Sequence, residues 1–336
     1  MKSIAHIVST GEFSGAEKIV IEICKCLKND YEFTYICKYG GIIDYLEKNH
    51  IKYILYRNTS ELINLLRNND FDLIHAHDYT ASVLSGFFFK GRIISHIHNN
   101  TPFARTLNLK SIIYFLSTRR VEKILCVSNS IINEMYFKNR LKNKLEVVYN
   151  WVNKDERYWN DDAEKNTDIL FVGRFTEQKN PMFFLEVVNQ LINDGFMDIK
   201  VKMIGRGELR EDILHYINKN KLNKSIEVLD FTDKPHKYMK ESKIFFVPSK
   251  WEGFGLVFLE AMINDCAVVA TPVGGIKEIF CDDLSNFSTD KNELVKNIKK
   301  ILSDDEYRMK IVSKNKKILE RFDMIKNTNI LKEYYK

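Results

Sequence analysis

The sequence predicts an α/β protein of two doubly wound, Rossmann-like parallel-sheet domains facing across a cleft. Three observations predict it. The chain has 336 residues, enough for two domains of ordinary size. Short β-rich apolar runs alternate with segments of helical spacing, the pattern of a parallel sheet with helices on both faces. The alternation stops once, in a polar acidic stretch, and then restarts.

The elements follow in order. "SIAHIVS" (3–9) is a β-rich run, followed by the loop "TGEFSGAE" and by "KIVIEICKCL" with helical spacing. "FTYICKY", "FDLIHAH", "GRIISHIH", "KILCVS" and "LEVVYN" are the later strands of the first half, with moderately amphipathic helices between them. "WVNKDERYWNDDAEKN" (151–166) has no periodicity and is expected to connect the domains. "TDILFVG", "DIKVKMIG", "SIEVLDF", "KIFFVPS" and "CAVVATP" are the strands of the second half. "NPMFFLEVVNQLIND" and "LREDILHYINKN" are helices there, the first ended by Gly195, and the chain from about Lys291 is helical and highly charged. The expected boundaries are 1–155 for the first domain and 156–317 for the second. The C-terminal helix, about 318–336, is expected to pack back on the first.

Composition narrows the class. At 45% hydrophobic and 29% charged residues the chain reads as a soluble globular protein. "MKSIAHIVST" enters a strand at once and has no signal-peptide pattern. "ASVLSGFFF" is less than half of the roughly 20 residues a membrane span needs, so a cytoplasmic location is expected. The six cysteines, at 24, 26, 37, 126, 266 and 281, form no CxxC pair and read as free, mostly buried thiols. Residues 1–150 hold 20 Lys/Arg against 14 Asp/Glu, and residues 151–336 hold 31 of each. The excess positive charge therefore lies in the first half, which suits an anionic surface or substrate there. No aromatic-basic interleaving supports nucleic acid.

Several motifs stand at strand ends. In "FVGRFTEQKNP", Arg174 follows the strand and Lys179 stands just before Pro181, a good first helical residue. Two cations beside a helix N-terminus suit a diphosphate, and two solvated surface cations are the alternative. "MIGRGELRED" has Gly205 and Gly207 but not the third glycine of a dinucleotide fingerprint. "TGEFSGAEK" has Gly11 and Gly15, which either let an anion approach the backbone or make an ordinary βα turn. "HAHD" (75–78) and "HIHN" (96–99) each hold two histidines at alternate positions. The members of each pair are expected to point to opposite sheet faces and so to chelate poorly. His75 and His96 then read as core residues, while His77 and His98 could reach a cleft, and no metal ligands are assigned. Asp70 and Asp72 read as a helix-to-strand turn. In "SKWEGFGLVFLEAM" (249–262), Glu252 lies in a loop and Glu260 just over one turn into a buried helix. The amides of Phe254, Gly255 and Leu256 lie where helix donors lack internal partners. Glu260 leans back towards that end and suits ribose hydroxyls, with a cap and a surface glutamate as the alternative.

Together these motifs resemble the retaining glycosyltransferases of family 4, the glycosyl transferases group 1, with GT-B architecture. "GEFSGAEK", "IHAHD", "SHIHN" and "CVSNS" resemble the first domain's series. "FVGRFTEQKN", "MIGRGELR", "VPSKWEGFGLVFLEAM" and "TPVGGIKEI" resemble the second's. The resemblance implies a metal-independent hexosyltransferase without cofactor. It would move a sugar from a nucleotide-diphosphate donor, a UDP-sugar before a GDP-sugar, to an acceptor hydroxyl with retention. By position, Arg174 and Lys179 would grip the diphosphate, Glu260 the ribose and Glu252 the donor sugar's hydroxyls. The Phe254, Gly255 and Leu256 amides, with Gly205 in the same donor set, would support sugar and phosphate. Gly15 would approach the phosphate and His98 the sugar. The catalytic set is thus Glu252, His98, Arg174 and Lys179. Trp151, Asp230 and "CDDLSNFST" depart from the family pattern, and Asp230, in the family's base-contacting region, leaves base specificity open.

The resemblance further implies surface polysaccharide, capsule or glycolipid biosynthesis on glycan or lipid-linked glycan acceptors. "RTLNLKSIIYFLSTRRVEK" mixes Arg105, Lys110, Arg119 and Arg120 with apolar residues, which suits either an anionic membrane surface or core packing. The alternatives in function are a nucleotide-sugar epimerase or phosphorylase of the same architecture and a non-catalytic nucleotide-sugar-binding protein.

Overall fold

The computed structural model describes residues 1–153, 163–281 and 283–336. The chain divides into two compact units, one of Met1–Asn150 with Met324–Lys336 and one of Trp151–Asp323. The domain boundary expected at 155/156 lies outside the described residues.

The first unit alternates strand and helix in the order β1 (Lys2–Ile7), α1 (Gly15–Leu27), β2 (Tyr31–Cys37), α2 (Ile42–Lys48), β3 (Tyr53–Leu55), α3 (Thr59–Asn68), β4 (Leu73–Ala76), α4 (Tyr79–Phe88), β5 (Arg92–Ile97), α5 (Leu109–Ser117), β6 (Lys123–Cys126), α6 (Asn129–Glu134), α7 (Lys138–Leu141) and β7 (Leu145–Val147). Its seven strands pair in parallel in the order β3-β2-β1-β4-β5-β6-β7. The central strands read as continuous apolar runs because helices cover both faces, and every residue of β4 is buried. The edge strand β3 was not read from the sequence. It is three residues long and none of them is buried, so its pattern is weak.

The second unit runs β8 (Thr167–Val172), α8 (Pro181–Asn193), β9 (Val201–Ile204), α9 (Arg210–Lys219), β10 (Ile226–Leu229), α10 (Pro235–Lys240), β11 (Ser242–Val247), α11 (Leu256–Ile263), β12 (Ala267–Ala270), α12 (Ile276–Ile279), α13 (Lys291–Ser303) and α14 (Asp305–Leu319). Its five strands are also all parallel, in the order β10-β9-β8-β11-β12.

Local chemistry sets many helix starts. Asn58, Asp78, Asp290 and Asp304 each accept from an amide three residues on, as N-cap side chains do. All six cysteines are free, and four are buried. Burial pushes the Cys266 thiol up to about 11 and Cys37 up to about 12.

After α14 the chain returns to the first unit as α15 (Met324–Tyr335), which packs beside α1. Tyr335 is fully buried there, edge-on to Tyr31 at 5.4 Å, and its hydroxyl lies 2.7 Å from His75 Nδ1. Lys332 pairs with Asp30 at 2.7 Å. The penultimate residue thus reaches the middle of the sheet. Tyr335→Ala should lower the first unit's stability by about 3–5 kcal/mol, as loss of a buried aromatic ring does. Tyr335→Phe should lower it by about 1 kcal/mol through the hydrogen bond alone. Urea denaturation of both variants checks this, and equal losses would show that the ring's packing does not anchor α15.

Candidate functional site

In each sheet the strand order reverses at one place, between β1 and β4 in the first unit and between β8 and β11 in the second. Ligands of open α/β sheets bind beyond the carboxyl ends of the strands at such a reversal. Most of the sequence-predicted residues follow the strands beside these reversals, while Gly205 follows β9 and His98 follows β5.

In the second unit, Gly173 and Arg174 follow β8, and residues 248–255 follow β11. Lys179 Nζ and Glu252 Oε2 form an ion pair at 2.7 Å, with side chains only 12% and 10% exposed. Arg174 is exposed, and one of its guanidinium nitrogens donates to Gln178 Oε1 at 3.0 Å. Gln178 is a residue that sequence reasoning missed. It is buried, its Nε2 donates to the Trp251 carbonyl at 3.1 Å, and its own carbonyl accepts from the Lys250 amide at 2.8 Å. Gln178 therefore ties the loop after β8 to the loop after β11. Its place four residues after Arg174 was the available signal.

Glycines bring the backbones together. A Cβ on Gly205 would lie 2.0 Å from the Gly173 carbonyl oxygen, a packing reason for glycine there that is separate from donor contact. Gly274 has φ +51°, and a Cβ on it would lie 1.8 Å from the Glu252 carbonyl oxygen. The Gly275 amide donates to that same carbonyl at 3.2 Å. The "VGG" turn thus holds the main chain of Glu252.

Helix α11 starts from Gly255, which has φ +98° and no side-chain cap. Only glycine takes that conformation without strain. The amide of Phe258 donates to the Gly255 carbonyl at 3.0 Å, and the helix's earlier amides have no acceptor within it. Phe254, Gly255 and Leu256 are all buried, and the Phe254 ring meets Phe322 edge-on at 5.3 Å. Glu260 is 7% exposed, one turn into α11. Arg174, Lys179, Gly205, Glu252, Phe254, Gly255, Leu256 and Glu260 all lie in this unit, most of them in the two tied loops or at the start of α11.

In the first unit, Gly15 is the exposed first residue of α1. Gly11 has a backbone role, since a Cβ there would lie 2.4 Å from the Tyr39 carbonyl oxygen. Asp78 caps α4 and also accepts from the Ser9 amide at 2.7 Å, which ties the loop after β1 to the end of β4.

The histidines correct the sequence reading. His75 and His77 lie with ring centroids 4.1 Å apart, and His96 and His98 4.2 Å apart. Residues two apart in a strand point to the same face, so the expectation of opposite faces was wrong. His6 of β1 joins them. His6, His75, His77 and His96 are fully or almost fully buried, and His98 is partly so. Two hydrogen-bonded series result. One runs from His6 Nδ1 to His77 Nε2 (2.7 Å) and from His77 Nδ1 to His98 Nε2 (3.1 Å). The other runs from the Tyr335 hydroxyl to His75 Nδ1 (2.7 Å) and from His75 Nε2 to His96 Nδ1 (3.1 Å). Two trios, His6 with His75 and His77 and His77 with His96 and His98, offer nitrogens within 4.8 Å of one another and are the candidate cation ligands. In the structure most nitrogens of these rings bond to one another or to Tyr335, while His6 Nε2, His96 Nε2 and His98 Nδ1 are buried without a partner. Burial holds His6 and His98 down to about 3 and the other three well below the usual histidine range, so all five rings are neutral.

Helix α5 is also unlike its neighbours. Ser111, Tyr114 and Ser117 face inward, while Leu109, Ile112, Ile113 and Leu116 are 72%, 37%, 37% and 38% exposed. Lys110, Arg119 and Arg120 are exposed beside them. Among the described residues no helix is long and apolar enough to cross a membrane.

Residues 153–318 match the family model described as glycosyl transferases group 1, and residues 13–156 match glycosyltransferase family 4. An uncharacterized glycosyltransferase of Methanocaldococcus jannaschii is 30% identical over 269 residues, 77% of this chain and 73% of the relative. An Escherichia coli UDP-Gal:α-D-GlcNAc-diphosphoundecaprenol α-1,3-galactosyltransferase is 24% identical over 99% of this chain and 96% of its own. Among solved structures, Anabaena HepE in complex with UDP and glucose superposes with a TM-score of 0.88 at 18% identity, covering 100% and 99% of the two chains.

The neutral histidines set an acid limit. The unfolded chain takes up protons at these positions below about pH 6.5 and the folded first unit does not, until the pH nears 3. Folding stability should therefore fall as pH drops through that window, by up to about 1.4 kcal/mol per pH unit for each buried ring. Urea midpoints at pH 7, 6 and 5 check it, and a flat profile would contradict it.

Proposed function

The chain belongs to the glycosyl transferases group 1, of GT-B fold, and from this we propose that it is a retaining, metal-independent hexosyltransferase. It moves a sugar from a UDP-sugar to a hydroxyl of a glycan or lipid-linked glycan during surface polysaccharide or glycolipid assembly. The observation that carries the reading is the Lys179–Glu252 pair beside Arg174 and the uncapped start of α11. Cations, a carboxylate and helix amides already positioned by the protein suit a donor with a charged diphosphate and a neutral sugar.

Each residue has one role in this reading. Arg174 and Lys179 bind the diphosphate and stabilise the charge that grows on it as the nucleotide leaves. Glu252 binds the sugar's hydroxyls, Glu260 the ribose, and the amides of Phe254, Gly255 and Leu256 support sugar and phosphate. Gly205 belongs to the same donor set. In the first unit, the Gly15 amide contacts the diphosphate and His98 the sugar. The bond between the anomeric carbon and the diphosphate oxygen breaks and a bond to the acceptor oxygen forms on the same face. The acceptor's hydroxyl proton passes to the departing diphosphate. A UDP-sugar is favoured by the UDP-Gal donor of the Escherichia coli relative and by the UDP in the Anabaena structure. The relative's acceptor, a diphosphoundecaprenol-linked sugar, supports a lipid-linked one here.

A panel of nucleotide-sugars, scored first by thermal stabilisation, identifies the donor. A true donor at 100 times its dissociation constant adds roughly 2.7 kcal/mol. Lys179→Ala and Glu252→Ala should each then lower kcat/KM for transfer by about 10²–10³-fold. The product's anomeric configuration by NMR, with the rate in excess EDTA, tests retention and metal independence. Stabilisation without transfer or donor hydrolysis would favour a binding protein and defeat the proposal.

The outward apolar side of α5, beside Lys110, Arg119 and Arg120, supports peripheral contact with an anionic membrane that carries the acceptor. Anionic vesicles should co-sediment the protein at low salt and lose it at high salt. Ile112→Glu with Leu116→Glu should abolish binding, and no sedimentation of the unmodified protein at low salt would refute the contact.

A further inference from the structure

The series His6–His77–His98 spans β1, the end of β4 and the end of β5, and its two outer atoms, His6 Nε2 and His98 Nδ1, are buried without a hydrogen-bond partner. A neutral imidazole carries one proton, so a ring that donates through one nitrogen accepts through the other. His77 is bonded at both nitrogens, which leaves two consistent states for the whole series. In the first, His6 Nδ1–H donates to His77, His77 Nδ1–H donates to His98 Nε2, and the proton of His98 must sit on Nδ1. In the second, every bond runs the other way, His98 Nδ1 is a bare lone pair, and the orphan N–H is that of His6 Nε2.

The two states differ in where the orphan donor lies. A buried N–H without an acceptor is costlier than a buried lone pair without a donor. The second state fixes the orphan N–H at His6 on β1, the middle of the sheet. The first moves it to His98 Nδ1, also buried but on the one ring of the three that is only partly so, just beyond the carboxyl end of β5, where ligands of such sheets bind.

We propose that His6 and His77 are positioning residues that hold His98 in the Nδ1–H form, so that His98 offers a hydrogen-bond donor to a sugar hydroxyl. This rests on the assignment of His98 to the donor sugar made above. The N···N separations of 2.7 and 3.1 Å match hydrogen bonds between neutral rings, and each bond uses a lone pair that a cation would need. The order of influence runs from the first strand outward, although His6 itself touches no substrate.

The test is the tautomer of each ring, read from imidazole ¹⁵N shifts of the full chain labelled at histidine, with and without UDP. Single His→Gln variants assign the signals. His6, His77 and His98 should all be protonated at Nδ1 in the unmodified protein with UDP. His77→Phe should return His98 to the Nε2–H form and lower kcat/KM roughly tenfold, the worth of one hydrogen bond. The proposal is overturned if His98 is Nε2–H in the unmodified protein, a result that needs no variant to fold. It is equally overturned if the three rings differ in tautomer, or if Zn²⁺ shifts all three signals together. His98→Phe with unchanged transfer would instead remove His98 from the sugar and leave the tautomer series standing, so the two failures are distinct.

Discussion

A parallel sheet whose strand order reverses opens space at one point beyond its carboxyl ends, and the chemistry of both units is arranged around that point. On either side of the reversal, successive loops leave in opposite directions, so the loops after the two central strands are not covered by a crossover helix. The two loops must then be tied to each other by other means. In the first unit Asp78 does this through the Ser9 amide. In the second, Gln178 does it with both ends of its amide and its own carbonyl.

Close backbone approach is the second unit's other device. Gly205 and Gly274 allow contacts that a Cβ would prevent, and they hold the end of β8 and the main chain of Glu252. With the backbone so held, the Lys179–Glu252 pair sits almost out of water, where an ion pair is costly to desolvate and more sensitive to geometry. Such a pair resembles a built site more than a surface contact.

The first unit solves a different problem. It withdraws five rings that would be charged in acid largely from water, which keeps them neutral, and it bonds them to one another and to Tyr335 from the last helix. Neutral rings satisfy each other only in series, and a series has a direction. Tyr335 of α15 ends one series and His6 of β1 ends the other, with their ring centroids 6.3 Å apart.

The sequence by itself determined much. The alternation of apolar runs with helical spacing placed nearly every strand, and the glycines, Pro181 and the two glutamates marked the second unit's loops. Edge strand β3 escaped because three partly exposed residues leave no pattern. The spacing of "HAHD" and "HIHN" already held the fact that each pair shares a face, although the reading reversed it. Only the tertiary structure decided that Lys179 meets Glu252, that Gln178 joins two loops, and that His6 and Tyr335 complete the histidine rows. It also turned the aliphatic side of α5 outward, where composition left core packing equally open. The physical reason is one of range. Periodicity records which residues share a face of one element, whereas partners 73 or 260 positions apart are set by strand order and register. Those are settled only when the whole sheet packs.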